Sequence, residues 1–151
     1  MAKPELTVIE GGLAQPAEMV PVEFWSYLNS QIKHTDPDAL LLAEVYNPKL
    51  YRDYVHLGKM DYLYDKVDFY DQMKRIMQGK SDTTPLVAIQ ADYADIEHHL
   101  LHFLENHDEQ RIASPEFAGD ACIGMPAMVV SATISTAPTL LYFGQEVGEK
   151  G

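Results

Sequence analysis

Cysteine is nearly missing from this chain of 151 residues: Cys122 stands alone, so no intramolecular disulfide can form and no thiolate cluster can hold zinc. That count leaves the redox compartment open. Cations are scarce as well. Eleven Lys and Arg residues face 23 Asp and Glu, giving a net charge of −12, and no basic stripe offsets it. Such a balance repels phosphate backbones and argues against nucleic acid or an anionic membrane surface as a partner. Long apolar runs are lacking, and none approaches the ~20 residues of a membrane span. Met1 to Gly12 has neither the basic start nor the apolar stretch of a secretory signal. No repeat of roughly 20–50 residues is visible, and no low-complexity tract. The expectation is one soluble domain without an export address, with compartment undetermined.

Residues 1–16, MAKPELTVIEGGLAQP, carry two prolines and a Gly-Gly pair and differ in character from the rest of the chain, so they read as a leader or junction. From Pro21 to Lys33, Val22, Phe24, Trp25, Leu28 and Ile32 recur at helical spacing, and Pro21 suits a first turn. Asp36-Pro37-Asp38 then marks a turn before Ala39 to Ala43, an apolar run without alternation, as in a strand buried on both faces. It ends at Glu44. Asn47-Pro48 breaks the chain, Lys49 to Leu57 is a short amphipathic stretch, and Gly58 suits a helix stop.

Further on, Met60 to Asp65 reads as a strand and Val67 to Met77 as a helix stopped near Gly79. Asp82 to Thr84 cap a longer helix marked by Leu86, Ile89, Tyr93, Ile96, Leu100 and Leu101, with Phe103-Leu104 a brief strand after it. The polar run Glu105 to Arg111 suits a loop or a site. Ala121 to Ile134 is small and apolar, consistent with a buried helix that packs Cys122 inside, and Thr139 to Phe143 is strand-like. Helix and strand alternate throughout, which implies a parallel sheet with helical crossovers. Polar clusters come after three of the four strands: Glu44, then Asn106-His107-Asp108, then Gln145-Glu146. Active sites of βα barrels and open α/β sheets are built at such positions. A complete barrel takes ~250 residues. The fold class expected is therefore α/β, about half of a βα barrel with about four parallel strands.

Three blocks carry a resemblance. LLLAEVYNP at Leu40 to Pro48, FLENHDEQR at Phe103 to Arg111 and LLYFGQEVGE at Leu140 to Glu149 resemble, in that order, blocks of the α-amylase family of glycoside hydrolases. Those enzymes are barrels that cleave or transfer α-glucosyl units by a retaining mechanism. The resemblance spans nearly all of residues 17–151 and corresponds to the fifth to eighth strands of that barrel. It implies Glu44 as general acid/base, Asp108 as the carboxylate that holds sugar hydroxyls and stabilises the oxocarbenium-like transition state, and His107 and Asn106 as substrate-binding residues. It implies an α-glucan or malto-oligosaccharide as partner and no cofactor, and no metal is assigned to this segment. A retaining enzyme also needs a nucleophilic carboxylate. The family places it in a block of the form G-F-R-x-D-x-A, and alignment on Ala17 puts Gln15 at the nucleophile and Leu13 at the arginine. An amide is a poor substitute for that nucleophile. The chain departs from the family there, and the leader stands where the first half of the barrel would end.

Other residues have plainer readings. His98 and His102 are four apart, a spacing that can hold a metal on a helix, but the glutamate of an H-E-x-x-H motif is replaced by His99. Tyr62, Tyr64, Tyr70 and Tyr93 suit either sugar stacking or a core. Two function classes are compatible with these features: part of an α-glucan-active glycoside hydrolase or transglycosylase, or a non-catalytic half-barrel that joins a partner or a second copy through the open edges of its sheet.

Overall fold

A computed structural model of the chain describes residues 22–151. The leader expected over residues 1–16, with Leu13 and Gln15, lies outside the described residues. Helix α1 spans Val22–Thr35, as its spacing predicts. Val22 and Trp25 pack inward, and the buried Asn29 donates from Nδ2 to the Gly58 carbonyl at 2.8 Å, which ties the helix to the turn before the second strand. Strand β1 is only Leu42–Ala43. A short 3-10 turn over Pro48–Leu50, capped by the Asn47 side chain, leads into α2, Tyr51–His56.

Gly58 does not take the left-handed conformation expected of a helix stop; Lys59 does, at φ 60°. Gly58 is required for a different reason, since a Cβ there would lie 2.7 Å from the Tyr54 carbonyl oxygen. Strand β2, Tyr62–Tyr64, runs into one π-helical turn, Lys66–Tyr70, whose Phe69 and Tyr70 N–H groups donate to the side chain and the carbonyl of Asp65, and then into α3, Asp71–Met77. Gly79 comes next at φ 68°, the helix stop the sequence predicts. Helix α4 is Thr84–Asp92 and ends earlier than its apolar pattern suggests. Leu100 and Leu101, expected in that helix, instead form β3. Phe103 and Leu104, expected as the strand, lie just beyond it as buried core residues without ladder partners.

The three strands lie in the order β1-β2-β3 and pair in parallel, Leu42 with Tyr62, Ala43 with Leu63, Leu63 with Leu100 and Tyr64 with Leu101. The fourth expected strand is reduced to a single parallel bridge between His102 and Thr139, so among the described residues three strands stand where about four are expected. At this bridge the His102 N–H donates to the Pro138 carbonyl and its carbonyl accepts from the Leu140 N–H. Nor is β1 buried on both faces. Leu40 and Leu42 are 74% and 41% exposed, so β1 is an edge strand.

One apolar cluster, with Leu63 and Val45 at its centre, fills the space between β1, β2 and helices α1 and α2. A second, around Phe69, Tyr70, Phe103 and Leu104, joins β3 to α3 and to α5, Ala121–Thr133. Helix α5 starts on the Asp120 side chain, which accepts from the Cys122 N–H at 2.8 Å. It is not buried all round as expected: Gly124, Ala127 and Ser131 face the core while Ile123, Met125 and Val129 are exposed. Cys122 is exposed rather than packed. Small residues make the seated face because Gly124 lies against Ile112, whose Cγ1 would be 2.7 Å from an added Cβ. No helix among the described residues is long and apolar enough to cross a membrane.

Phe103 stacks on Tyr70 at 4.9 Å between ring centroids and meets the edge of Tyr64 at 5.0 Å, which places it at the junction of sheet and helix. Phe103→Ala is expected to lower unfolding stability by about 3–5 kcal/mol, read from the denaturant midpoint. The exposed Phe143→Ala serves as the control and is expected within about 0.5 kcal/mol of the parent.

Candidate active site

Every strand of a parallel sheet points its carboxyl end the same way, so the residues immediately beyond β1, β2 and β3 emerge along one edge. Glu44 comes directly after β1, Asp65 and Lys66 after β2, and the segment 105–111 shortly after β3. This brings together residues far apart in the chain. Nε2 of His107 lies 3.7 Å from Oε1 of Glu44 and 3.5 Å from Oδ2 of Asp108. Ligand atoms of all three lie within 4.8 Å of one another, close enough for both carboxylates to address one sugar ring. The cluster faces solvent, His107 and Asp108 with about 60% of their side chains exposed and Glu44 with 35%.

Tyr46 donates its hydroxyl to Oε2 of Glu44 at 2.8 Å and so fixes one carboxylate oxygen. Partial burial, that hydrogen bond and the negative charges of Glu44 and Asp108 push the Tyr46 phenol up to about 12, so it remains a donor at neutral pH. The cleft lined by Glu44, Tyr46, Tyr64, Asn106 and Asp108 has a volume of only about 10 Å³. That is room for about one water. A sugar would therefore rest on the open side of the cluster. A cavity of about 530 Å³ between α1 and α2 includes none of these residues, whereas one of about 350 Å³ beside Arg111 and Tyr142 borders Asn106 and His107.

The segment 105–111 is the loop its polarity predicts, and its shape is set from beneath. Asn106 is 7% exposed, and its Oδ1 accepts from the backbone N–H groups of both Asp108 and Glu109 at 2.9 Å. That turn aims the Asp108 side chain outward. Glu105 is fully buried, with Oε1 accepting from the Ile112 N–H at 2.8 Å and Oε2 from Nη1 of Arg111 at 2.9 Å. Arg111 also donates to the Phe143 carbonyl at 2.6 Å and lies over the Tyr142 ring. Glu105 and Arg111 thus lock the loop to the segment after Thr139.

Glu109, beside Asp108, points the other way. Its carboxylate accepts from Tyr70 at 2.8 Å and pairs with Lys66 at 3.1 Å and Lys74 at 3.6 Å. Burial alone would raise its pKa, but Tyr70 and the two lysines outweigh burial and hold it below the ordinary carboxylate range. Tyr70 in turn is raised, first by burial and then by Glu109.

The structure thus brings Glu44, His107 and Asp108 together and places Asn106 under them. Gln145 and Glu146 do not join the cluster: they form a 3-10 turn in which Gln145 accepts from the Tyr142 N–H. Glu105, Glu109, Lys66, Tyr46 and Arg111 were not singled out by sequence reasoning. The signal available was the polar run itself, whose alternating inward and outward members the one-dimensional pattern does not separate. Among the described residues, Glu44, His107 and Asp108 are also the group of histidine and carboxylate atoms close enough to share a cation. His98 and His102, four apart in sequence, share no helix. His102 is buried at the end of β3. Tyr70 and Tyr93 are core residues, while Tyr64 borders the small cleft.

Removing Glu105 would leave the Ile112 N–H without its acceptor and Arg111 without its carboxylate partner, with only the Phe143 carbonyl remaining to it. Glu105→Ala is expected to cost about 3 kcal/mol, measured by thermal unfolding. Because the Glu109 carboxyl is held low in the folded chain, its contribution is present above the unfolded value near ~4.3 and is lost as pH falls through the lower folded value. Glu109→Gln is expected to flatten that acid limb, with melts between pH 3 and 6 as the readout.

No family model matches the sequence, and no curated protein matches it by sequence. The fold has clear counterparts among solved structures. An α-amylase from Lactobacillus plantarum superposes with a TM-score of 0.70 at 22% identity, covering 89% of this chain and 35% of that one. A noncanonic maltogenic α-amylase, AmyB from Thermotoga neapolitana, gives 0.67 at 22% identity over 89% of this chain and 30% of that one. The cyclic α-maltosyl-(1→6)-maltose hydrolase from Arthrobacter globiformis, in complex with maltose, gives 0.75 at 20% identity over 91% and 32%. The chain spans about a third of the length of these structures. Its fold is that of part of an α-amylase-family structure, an α/β arrangement of parallel strands with Glu44, His107 and Asp108 at their carboxyl ends.

Proposed function

We propose that this chain supplies the acid/base and transition-state-stabilising part of the site of an α-glucan-active retaining glycoside hydrolase or transglycosylase. The observation that carries this reading is the convergence of Glu44 with the sequence-distant pair His107 and Asp108, within 4.8 Å at the carboxyl ends of parallel strands. In this reading Glu44 gives its proton to the departing glycosidic oxygen as the C–O bond breaks, and then takes a proton from the attacking water. Asp108 holds ring hydroxyls and faces the positive charge that develops at the anomeric carbon. His107, between the two carboxylates, donates to a sugar hydroxyl, and Asn106 fixes the turn that presents both. Malto-oligosaccharides are the substrate class favoured by the likeness to a maltogenic amylase and to a hydrolase bound to maltose.

The covalent step needs a carboxylate that Gln15, the residue aligned with the nucleophile, does not supply. This chain by itself is therefore expected to bind malto-oligosaccharide without turning it over. Titration with maltotriose, followed by amide NMR, is expected to move the signals of residues 106–109. Asp108→Asn and His107→Ala should weaken binding about 10-fold or more, as loss of hydrogen bonds involving charged groups does. Robust release of glucose or maltose by the unaltered chain would refute the assignment of Gln15. Absence of any sugar-induced shift at 106–109 would refute the binding reading.

A second reading rests on a different observation. Leu40 at the outer edge of β1 and Phe143 beyond Thr139 are 74% and 86% exposed, apolar residues at both open ends of the sheet. They suit a non-catalytic chain that associates with a partner or a second copy. Light scattering on a size-exclusion column distinguishes the two: a stable dimer with no sugar binding favours association, and a monomer that binds maltotriose favours the glycan site.

A further inference from the structure

Beneath the candidate site lies a second pair of titratable groups that the proposed chemistry does not use. Asp65, at the end of β2, and His102, at the end of β3, are 1% and 2% exposed. Each has one polar atom committed. Oδ1 of Asp65 accepts from the Phe69 N–H at 3.2 Å, and Nδ1 of His102 lies 3.1 Å from the Ser131 carbonyl oxygen. A carbonyl only accepts, so Nδ1 carries a hydrogen. In a neutral ring, Nε2 is then a bare lone pair. That lone pair faces Oδ2 of Asp65 at 3.7 Å, and Oδ2 is buried without a hydrogen-bond partner among the described residues. A lone pair opposite an ionised carboxylate oxygen in a dry site is repulsive. A proton on Oδ2 removes the repulsion.

We infer that Asp65 is a carboxylic acid in the folded protein, donating its proton toward Nε2 of a neutral His102, and that this one-proton pair is a pH-sensitive seam between β2 and β3. The surroundings agree. The Phe69 ring stacks on the imidazole at 3.8 Å and 5° and keeps water from that face. Asp68 of the π-helical turn and Tyr51 of α2 face Asp65; Asp68 accepts a hydrogen bond from the Tyr93 hydroxyl, and Glu97 faces His102. The neighbouring cation, Lys66, is occupied by Asp71 and Glu109. Burial, aided by Asp68, pushes the Asp65 carboxyl up to about 7. Burial also pulls His102 below its ordinary value, so both shifts favour the uncharged forms. The seam leads straight to Lys66 on one strand and to the loop of Glu105 to Asp108 on the next. Its ionisation at alkaline pH would loosen the support of the candidate site.

The sign comes from proton counting. Between the unfolded carboxyl value near ~3.9 and the folded value, the folded chain holds one more proton at Asp65 than the unfolded chain. Stability from this group is therefore full at low pH and is lost as pH rises through its folded value. Thermal melts of the full chain and of Asp65→Asn, whose amide can donate to Nε2 at every pH, isolate that group. The melting temperature of the variant relative to the parent is expected to rise by about 10 °C between pH 4.5 and pH 8. A difference that stays constant, or that moves the other way, would overturn the inference. If the variant does not fold, the parent decides the matter by NMR. The Asp65 carboxyl carbon should report the protonated form at pH 5.5, and His102 a neutral ring with hydrogen on Nδ1 at pH 6. An ionised Asp65 or an imidazolium at those values would equally overturn it.

Discussion

The carboxylate of Glu105, with no exposed surface, holds the Ile112 N–H with one oxygen and Arg111 with the other. Arg111 then reaches the Phe143 carbonyl. An ionised group at this depth is tolerable only with its oxygens satisfied. The requirement works in both directions, since the chain must fold back on itself to satisfy it. The loop from Glu105 to Arg111 is consequently not free to sample alternatives, and His107 and Asp108 project from a base that is fixed. The same arginine joins the segment beyond Thr139 to the sheet at a place where strand pairing has nearly run out.

Sheet pairing in this chain is brief. Two or three residues per strand form the ladder, so helices and buried side chains do most of the ordering. Helix α1 is tied to the α2–β2 turn by Asn29, and α5 to β3 by His102 and Ser131. What the short ladder does decide is direction. Parallel strands put Glu44, Lys66 and the Glu105 loop on one edge, and that common direction is what allows carboxylates from separate crossovers to approach.

Electrostatics divide the acidic residues of this edge into two sets. Glu105 and Glu109 are compensated by Arg111 and by Lys66 with Lys74, and serve the architecture. Among the described residues, Glu44 and Asp108 have no such cation; they share His107, Tyr46 donates to Glu44, and both open to solvent. Asp65 belongs to neither set. It is buried beside a histidine that burial keeps neutral, so a proton takes the role that a cation has elsewhere.

The pattern of a carboxylate after an apolar run, and of a polar run after a buried one, places Glu44, Asn106, His107 and Asp108 at strand ends, while the roles proposed for them come from the family resemblance. Amphipathic spacing likewise gave α1 and α3, and Gly79 the end of α3. Three features were beyond its reach. Leu100 and Leu101 continue a helical pattern yet pair as a strand, because contact with Leu63 and Tyr64 outweighs local periodicity. Cys122 and half of α5 look like core and are exposed, because an all-apolar helix does not state which face meets the sheet. The division of Glu105 to Arg111 into buried anchors and exposed candidate residues is also invisible in the sequence, since all are polar. Local sequence by itself determined where chemistry could sit, through the preferences of caps, breakers and apolar runs. Only the tertiary structure decided which of those groups meet, because burial and pairing are set by partners distant in the chain and not by adjacent residues.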